Sequence, residues 1–227
     1  VTGSPEGWPV ELRGVTESVV TTLGPNGLWN AAALGLRAPE GPGDVDAGDS
    51  TGGGEAGRGE AGGGGGVDGV VTATTWGNTR TRRNFERRGG GVVQFVSDPR
   101  TFVDAAMRVT ETESPVLDDA HAWVEVEATP VEEGDSGGTE WTRWELRPVE
   151  SAVVRETVPT INRGFAAVVE ATVAASRLDV PAYDADELLR RLRFFAETVE
   201  ACGGAPEREA FAAIEEASAW RERVEER

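Results

Sequence analysis

The sequence predicts a mainly β fold with added α: a small β-barrel carrying peripheral helices, followed by a C-terminal helical portion. Three observations point there. Between Glu17 and Arg147 about six short runs are rich in β-branched and aromatic residues and are separated by turn signals. Two short helix patterns, each opened by a capping residue, sit between those runs. Beyond Ile161 the apolar residues change to helical spacing. Short strands with interleaved helices fit a barrel better than an open sheet. The expected division is residues 1–150 for the barrel and 151–227 for the helical portion.

Residues 1–14 carry Gly3, Pro5, Gly7 and Pro9 and read as a loose lead-in. Glu17 to Leu23 has strand composition, Gly24-Pro25-Asn26-Gly27 is a strong turn, and Leu28 to Leu36 returns, so a β-hairpin is expected. Its second arm is small-sided at Asn30, Ala31 and Ala32. Small side chains admit either a flat ligand or a tightly packed neighbouring helix, and both readings stand at this point. Residues 38–67 are Gly-rich and acidic; they carry too little apolar surface to offset chain entropy and are expected to be a disordered insertion between adjacent strands.

The third strand ends at Trp76, a turn uses Gly77 and Asn78, and Thr79 is placed to cap a short helix. Five arginines, Arg80, Arg82, Arg83, Arg87 and Arg88, fall within nine residues of a chain whose net charge is −18. Thr79, Thr81 and Asn84 add hydroxyl and amide groups at the start of that helix. Backbone amides, hydroxyls and guanidinium forks brought together at a helix N-terminus make an anion site, most naturally one for phosphate. A solvated basic helix on an acidic surface fits the same residues. Gly91 to Val96 is a buried-type strand, and Asp98 or Ser97 caps a helix that has Pro99 at its first position and runs through Phe102, Val103, Ala106 and Met107, with Phe102 and Met107 in the core. Ala122 to Ala128 alternates as a strand, Glu132 to Gly138 reads as a turn, and Thr139 to Arg147 returns. Three helices are expected from Ile161 to Arg177, from Ala185 to Ala201 with Asp184 as cap, and from Pro206 to Glu226; their apolar stripes pack on one another.

Composition excludes several classes of function. The chain holds 40 acidic residues against 22 basic ones, and all of the latter are Arg. An acidic, Lys-free surface suits a salt-saturated cytoplasm, where repulsion is screened within about 3 Å at 1 M salt. It argues against general nucleic-acid binding. With one cysteine, Cys202, there is no intramolecular disulfide and no Cys-based metal cluster, and with one histidine, His121, no His-rich metal site. No run is long and apolar enough for a membrane span and no signal-peptide pattern opens the sequence, so a cytoplasmic protein is expected. His121 beside Asp118 and Asp119 reads as a structural histidine before a catalytic one. Cys202 reads as a small side chain at a helix end, Trp76 as barrel packing, and Arg163 as a second residue within reach of an anion; Glu11 and Glu17 belong to the solvated surface.

Taken together the motifs resemble an archaeal family known only as domain of unknown function 447. The shared features are Thr21-Thr22, Gly27, Asn30-Ala31-Ala32 with Gly35, Thr79-x-Thr81-x-x-Asn84, Val92-Val93 leading to Asp98-Pro99 and Phe102, and Pro159-Thr160-Ile161-Asn162-Arg163. No single one is specific; their order over more than half the chain carries the resemblance. It implies an FMN-binding split barrel followed by a helical portion, an architecture shared with flavin reductases and the pyridoxamine-phosphate-oxidase group. It further implies that Thr79, Thr81 and Asn84 hold the FMN phosphate, with charge from Arg80 or Arg83 (Arg80 being nearer the turn), and that Asn30, Ala31 and Ala32 lie beside the isoalloxazine. Two subunits are expected to pair with flavin near their interface. Gln94 departs from the family's usual Asn, which is expected to loosen contacts from that strand. The implied function is an FMN flavoprotein, as an oxidoreductase on a small substrate or as a flavin-binding or interaction protein without turnover. Flavin carries its own redox chemistry, so scarce His and Cys do not count against it.

Overall fold

The computed structural model describes residues 7–39 and 70–225. The expected lead-in before Gly7 and the Gly-rich insertion from Glu40 onward lie outside the described residues. Seven strands, β1 (Val15–Leu23), β2 (Trp29–Arg37), β3 (Val71–Trp76), β4 (Gly90–Val96), β5 (Thr110–Thr112), β6 (Ala120–Ser136) and β7 (Thr139–Val153), form one antiparallel sheet. Its order is β1-β4-β6-β7-β3-β2, and pairing of β1 with β2 closes a six-stranded barrel, so only the short β5 lies outside the ring, on the free side of β2.

Closure follows from alternation. Val20, Leu34, Leu36, Val93, Val124, Val126, Trp144 and Leu146 point inward and fill the barrel. Val19 and Ala31 point outward and are buried under Phe102 and Ala105 of helix α2 (Pro99–Met107). Helix α1 (Arg80–Arg88) closes one end of the barrel with Phe85, whose ring meets the edge of Trp144 at 5.2 Å. At Gly90 a side chain would collide with the Val126 carbonyl oxygen, and at Gly91 a Cβ would stand 2.6 Å from the Thr21 oxygen. These two glycines let β4 run close against its neighbours beneath α1.

The helix caps anticipated from sequence are present. Thr79 accepts a hydrogen bond from the Arg82 amide, Asp98 from Arg100 with Pro99 in the first turn, and Asp184 from Asp186 and Glu187. Two expectations are corrected. The turn expected over Glu132 to Gly138 shrinks to Gly137 and Gly138, with φ of 60° and 82°, because β6 and β7 stay paired out to Ser136 and Thr139. The shift in register at Pro130 to Glu132 accommodates the proline, which has no N–H to give the ladder. The last helix is two: α5 (Ala205–Ser218) ends at Ala219, whose φ of 49° is left-handed, and α6 (Trp220–Glu225) starts after it. That break directs Trp220 into the core, edge-on to Phe211 at 6.3 Å.

Helices α3 (Arg163–Ser176), α4 (Ala185–Cys202) and α5 share a core of Val168, Ala171, Leu192, Val199, Phe211 and Ile214. Val103 and Met107 of α2 enter the same cluster, so α2 is the joint between barrel and helices. Asn162 caps α3 through Oδ1 and donates from Nδ2 to Glu207 at 2.9 Å, while Glu207 also accepts from the Gly204 amide at 2.6 Å. The approach at this corner is tight: a Cβ on Gly164 would lie 2.5 Å from Gly203 Cα. The Asn162-Arg163 part of the sequence motif is therefore a helix start locked to α5, and Arg163 is exposed. Glu207 is 7 % exposed, and Glu207→Ala removes the charged acceptor of two part-buried hydrogen bonds, from the Asn162 amide and the Gly204 N–H. The expected loss is about 1–3 kcal/mol, read by urea unfolding.

Candidate functional site

A pocket of about 380 Å³ opens at the end of the barrel that α1 covers. Its walls are the β1–β2 turn (Gly24, Pro25, Asn26), Asn30 at the start of β2, Glu111 of β5, and Arg80, Arg83, Asn84 and Arg87 of α1. The α1 residues are spaced i, i+3, i+4 and i+7, so one face of a single helix lines the pocket. Three guanidinium groups face one carboxylate there, in a chain that is otherwise strongly acidic. A recess with one sign of charge concentrates ions of the other.

Each donor is held by a neighbour. Arg80 Nη1 is 2.6 Å from Glu111 Oε1, and Asn26 Nδ2 donates to the same oxygen at 3.2 Å. Arg83 Nη1 donates to the Asn78 carbonyl at 2.7 Å and to Asn78 Oδ1 at 2.9 Å. Asn84 donates through Nδ2 to Thr22 Oγ1 at 3.0 Å and accepts from Arg87 Nη1 at 3.1 Å. Arg83 and Arg87 therefore meet neutral oxygens, which an anion can displace or share without breaking an ion pair. Arg82, one step round the helix, pairs with Glu86 at 3.1 Å and Glu140 at 3.4 Å and is not in the lining.

Of the eight residues nominated from sequence, Asn30, Arg80, Arg83 and Asn84 come together in this pocket. Thr79 lies at the helix cap, where its Oγ1 accepts from the Arg82 amide at 3.2 Å, and Thr81 is buried under α1. Ala31 points away from the pocket, 3 % exposed beneath α2, and Ala32 packs against the barrel core. The close neighbour of the Ala31 side chain is helix α2. Arg87, Asn26 and Glu111 were not singled out as site residues by sequence. Periodicity along α1 points to Arg87, while Asn26 and Glu111 arrive through the hairpin turn and through β5 pairing, in which Asn30 and Glu111 stand opposite.

Other nominated residues have structural partners. His121 Nε2 is 2.8 Å from Ser97 Oγ and Nδ1 is 3.5 Å from Thr157 Oγ1, and its carbonyl accepts from Val154 and Arg155. These contacts fasten the end of β7 and the chain that leaves it. Trp76 is half-exposed with its ring 6.3 Å from Trp141, and Cys202 is half-buried at the end of α4. Gln94 does not loosen its strand. Its Nε2 donates to Thr21 Oγ1 at 3.1 Å and to the Pro115 carbonyl at 3.0 Å, while Oε1 accepts from the Leu117 amide at 2.7 Å. The longer side chain thus ties the loop after β5 to the barrel wall. Among the described residues no group of three or more His, Cys, Asp or Glu can hold a metal, and no helix is long and apolar enough to cross a membrane.

Comparison with solved structures finds this fold in an FMN-bound protein of Methanosarcina mazei, at 22 % identity and a TM-score of 0.69, covering 91 % of this chain and 96 % of that one. A styrene monooxygenase flavin reductase from Pseudomonas putida S12 aligns at 10 % identity with a TM-score of 0.36, over 66 % of this chain and 95 % of its own. Component B of nitrilotriacetate monooxygenase from Mycobacterium thermoresistibile aligns at 14 % identity with a TM-score of 0.33, over 64 % and 72 %. No curated protein matches the chain. Residues 65–155 match the N-terminal domain model, and residues 162–216 the second model, of a family described as protein of unknown function (DUF447), to which the Methanosarcina protein is also assigned. The two models follow in order and together cover more than half of the sequence, and the chain belongs to that family.

Proposed function

We propose that this protein is an FMN-binding flavoprotein and that the pocket under α1 holds the FMN phosphate. The observation that carries the reading is the α1 face: Arg80, Arg83, Asn84 and Arg87 direct two guanidinium groups with only neutral partners, one paired guanidinium and an amide into one recess. That donor set suits a phosphate monoester, since guanidinium forks match phosphate oxygens in charge and geometry. Asn30, at the start of β2, also lines the pocket and would add an amide to the set that holds the ligand. The FMN-bound family member from Methanosarcina supports the choice of anion.

When bound, flavin supplies electron transfer by itself. The chain's own residues would bind and orient it: Arg83 and Arg87 would neutralise the phosphate, and Thr22 fixes the Asn84 amide between them. An oxidoreductase acting on a small substrate is the favoured activity, in a homodimer with flavin near the subunit interface. A flavin carrier without turnover is the second reading, since the donor set of the pocket accounts for binding alone. Protein purified in molar salt is expected to show flavin absorption and to release FMN on heat denaturation. Colourless protein that also fails to take up added FMN contradicts the proposal. Faster reduction of bound than of free FMN by NADH or NADPH separates the oxidoreductase from the carrier.

A further inference from the structure

We infer that Glu111 is a built-in competitor for the anion pocket: its carboxylate occupies donors that a phosphate would otherwise take, and so sets the affinity for phosphate-bearing ligands. The inference rests on the reading of this pocket as a phosphate site. A single oxygen, Glu111 Oε1, accepts from both Arg80 at 2.6 Å and Asn26 at 3.2 Å. It therefore links α1 to the β1–β2 turn across the pocket, in the manner of a bound anion. Its side chain is 28 % exposed, so the pair is less screened than a fully solvated one.

Glu111 is held in place by its strand. β5 pairs with Trp29 to Ala31 of β2, and Thr110 Oγ1 donates to the Asp104 carbonyl at the end of α2 at 3.1 Å. The strand thus fixes the Glu111 backbone beside the pocket, within side-chain reach of Arg80 and Asn26. An entering phosphate gains Arg83 and Arg87 by displacing neutral oxygens, but reaches Arg80 only by exchange with Glu111 or by sharing it against like charge. The third arginine is conditional, and the condition is one side chain.

The test is titration of the full-length protein and its Glu111→Gln variant with FMN, riboflavin and inorganic phosphate in the same salt. Gln keeps an oxygen for Asn26 and removes the charge. The ratio of FMN to riboflavin affinity is expected to rise about fivefold in the variant, with a parallel rise for phosphate, as for loss of one competing ion pair. An unchanged or lower ratio overturns the inference while leaving FMN binding intact. If wild type binds phosphate but not FMN, the flavin reading fails and the phosphate titration alone decides for or against Glu111. If neither protein binds either ligand, both readings fall. Should the Gln variant fold poorly, Glu111→Asp draws the carboxylate back by one methylene, and an unchanged affinity ratio there counts equally against the inference.

Discussion

Replacing Arg83 and Arg87 together by alanine is expected to weaken FMN binding about a hundredfold, the combined effect of two charge-assisted contacts of about 1.5 kcal/mol each. These two guanidiniums face the pocket with neutral partners, Asn78 and Asn84. Removing Arg87 also takes away the group that fixes the Asn84 amide from one side. The comparison that gives the experiment its force is Arg82→Ala with Arg88→Ala, which removes the same two charges from the same helix outside the pocket lining. That control is expected to change affinity by about twofold, the scale of a screened surface charge. Equal losses in the two double variants would mean that net charge, and not this face of α1, governs binding.

The second large effect concerns stability. Phe85 is 1 % exposed, and its ring stands over the end of the barrel against Trp144, which in turn donates from Nε1 to Thr75 Oγ1 at 2.9 Å. Phe85→Ala removes the contact that seats α1 and opens a cavity the closed barrel cannot collapse into. The expected cost is about 3–5 kcal/mol, measured as a shift of the urea midpoint at unchanged slope. Phe85→Leu retains most of the volume and is expected to lose less than half as much. A small effect of Phe85→Ala would mean that α1 is seated by its polar contacts, chiefly Asn84 to Thr22. The site and the core would then be one network in place of two.

Local chemistry made much of this fold legible. Gly24 to Gly27 marked the hairpin, and Thr79, Asp98 and Asp184 marked three helix starts, because caps and tight turns are decided by a few adjacent residues. What pairing decides was not legible. Glu132, Glu133 and Asp135 look like turn residues, yet they continue β6 in the ladder with β7, where Arg143 faces and pairs with Glu132. Ala219 carries no glycine or proline signal, and the helix breaks there to bury Trp220. The site divides in the same way. The arginines of α1 could be read from one stretch, whereas the side on which Ala31 lies depends on where α2 packs, and Glu111 reaches Arg80 only because β5 adds to β2.

Recognition of a phosphate ester is the proposed role of the pocket under α1. Calorimetric titration of the wild-type chain with FMN and with riboflavin tests it most directly, since the two ligands differ only in that group. FMN is expected to bind at least about tenfold more tightly, with an advantage that shrinks as salt rises. Equal affinities, or a preference for FMN that salt leaves unchanged, would contradict it.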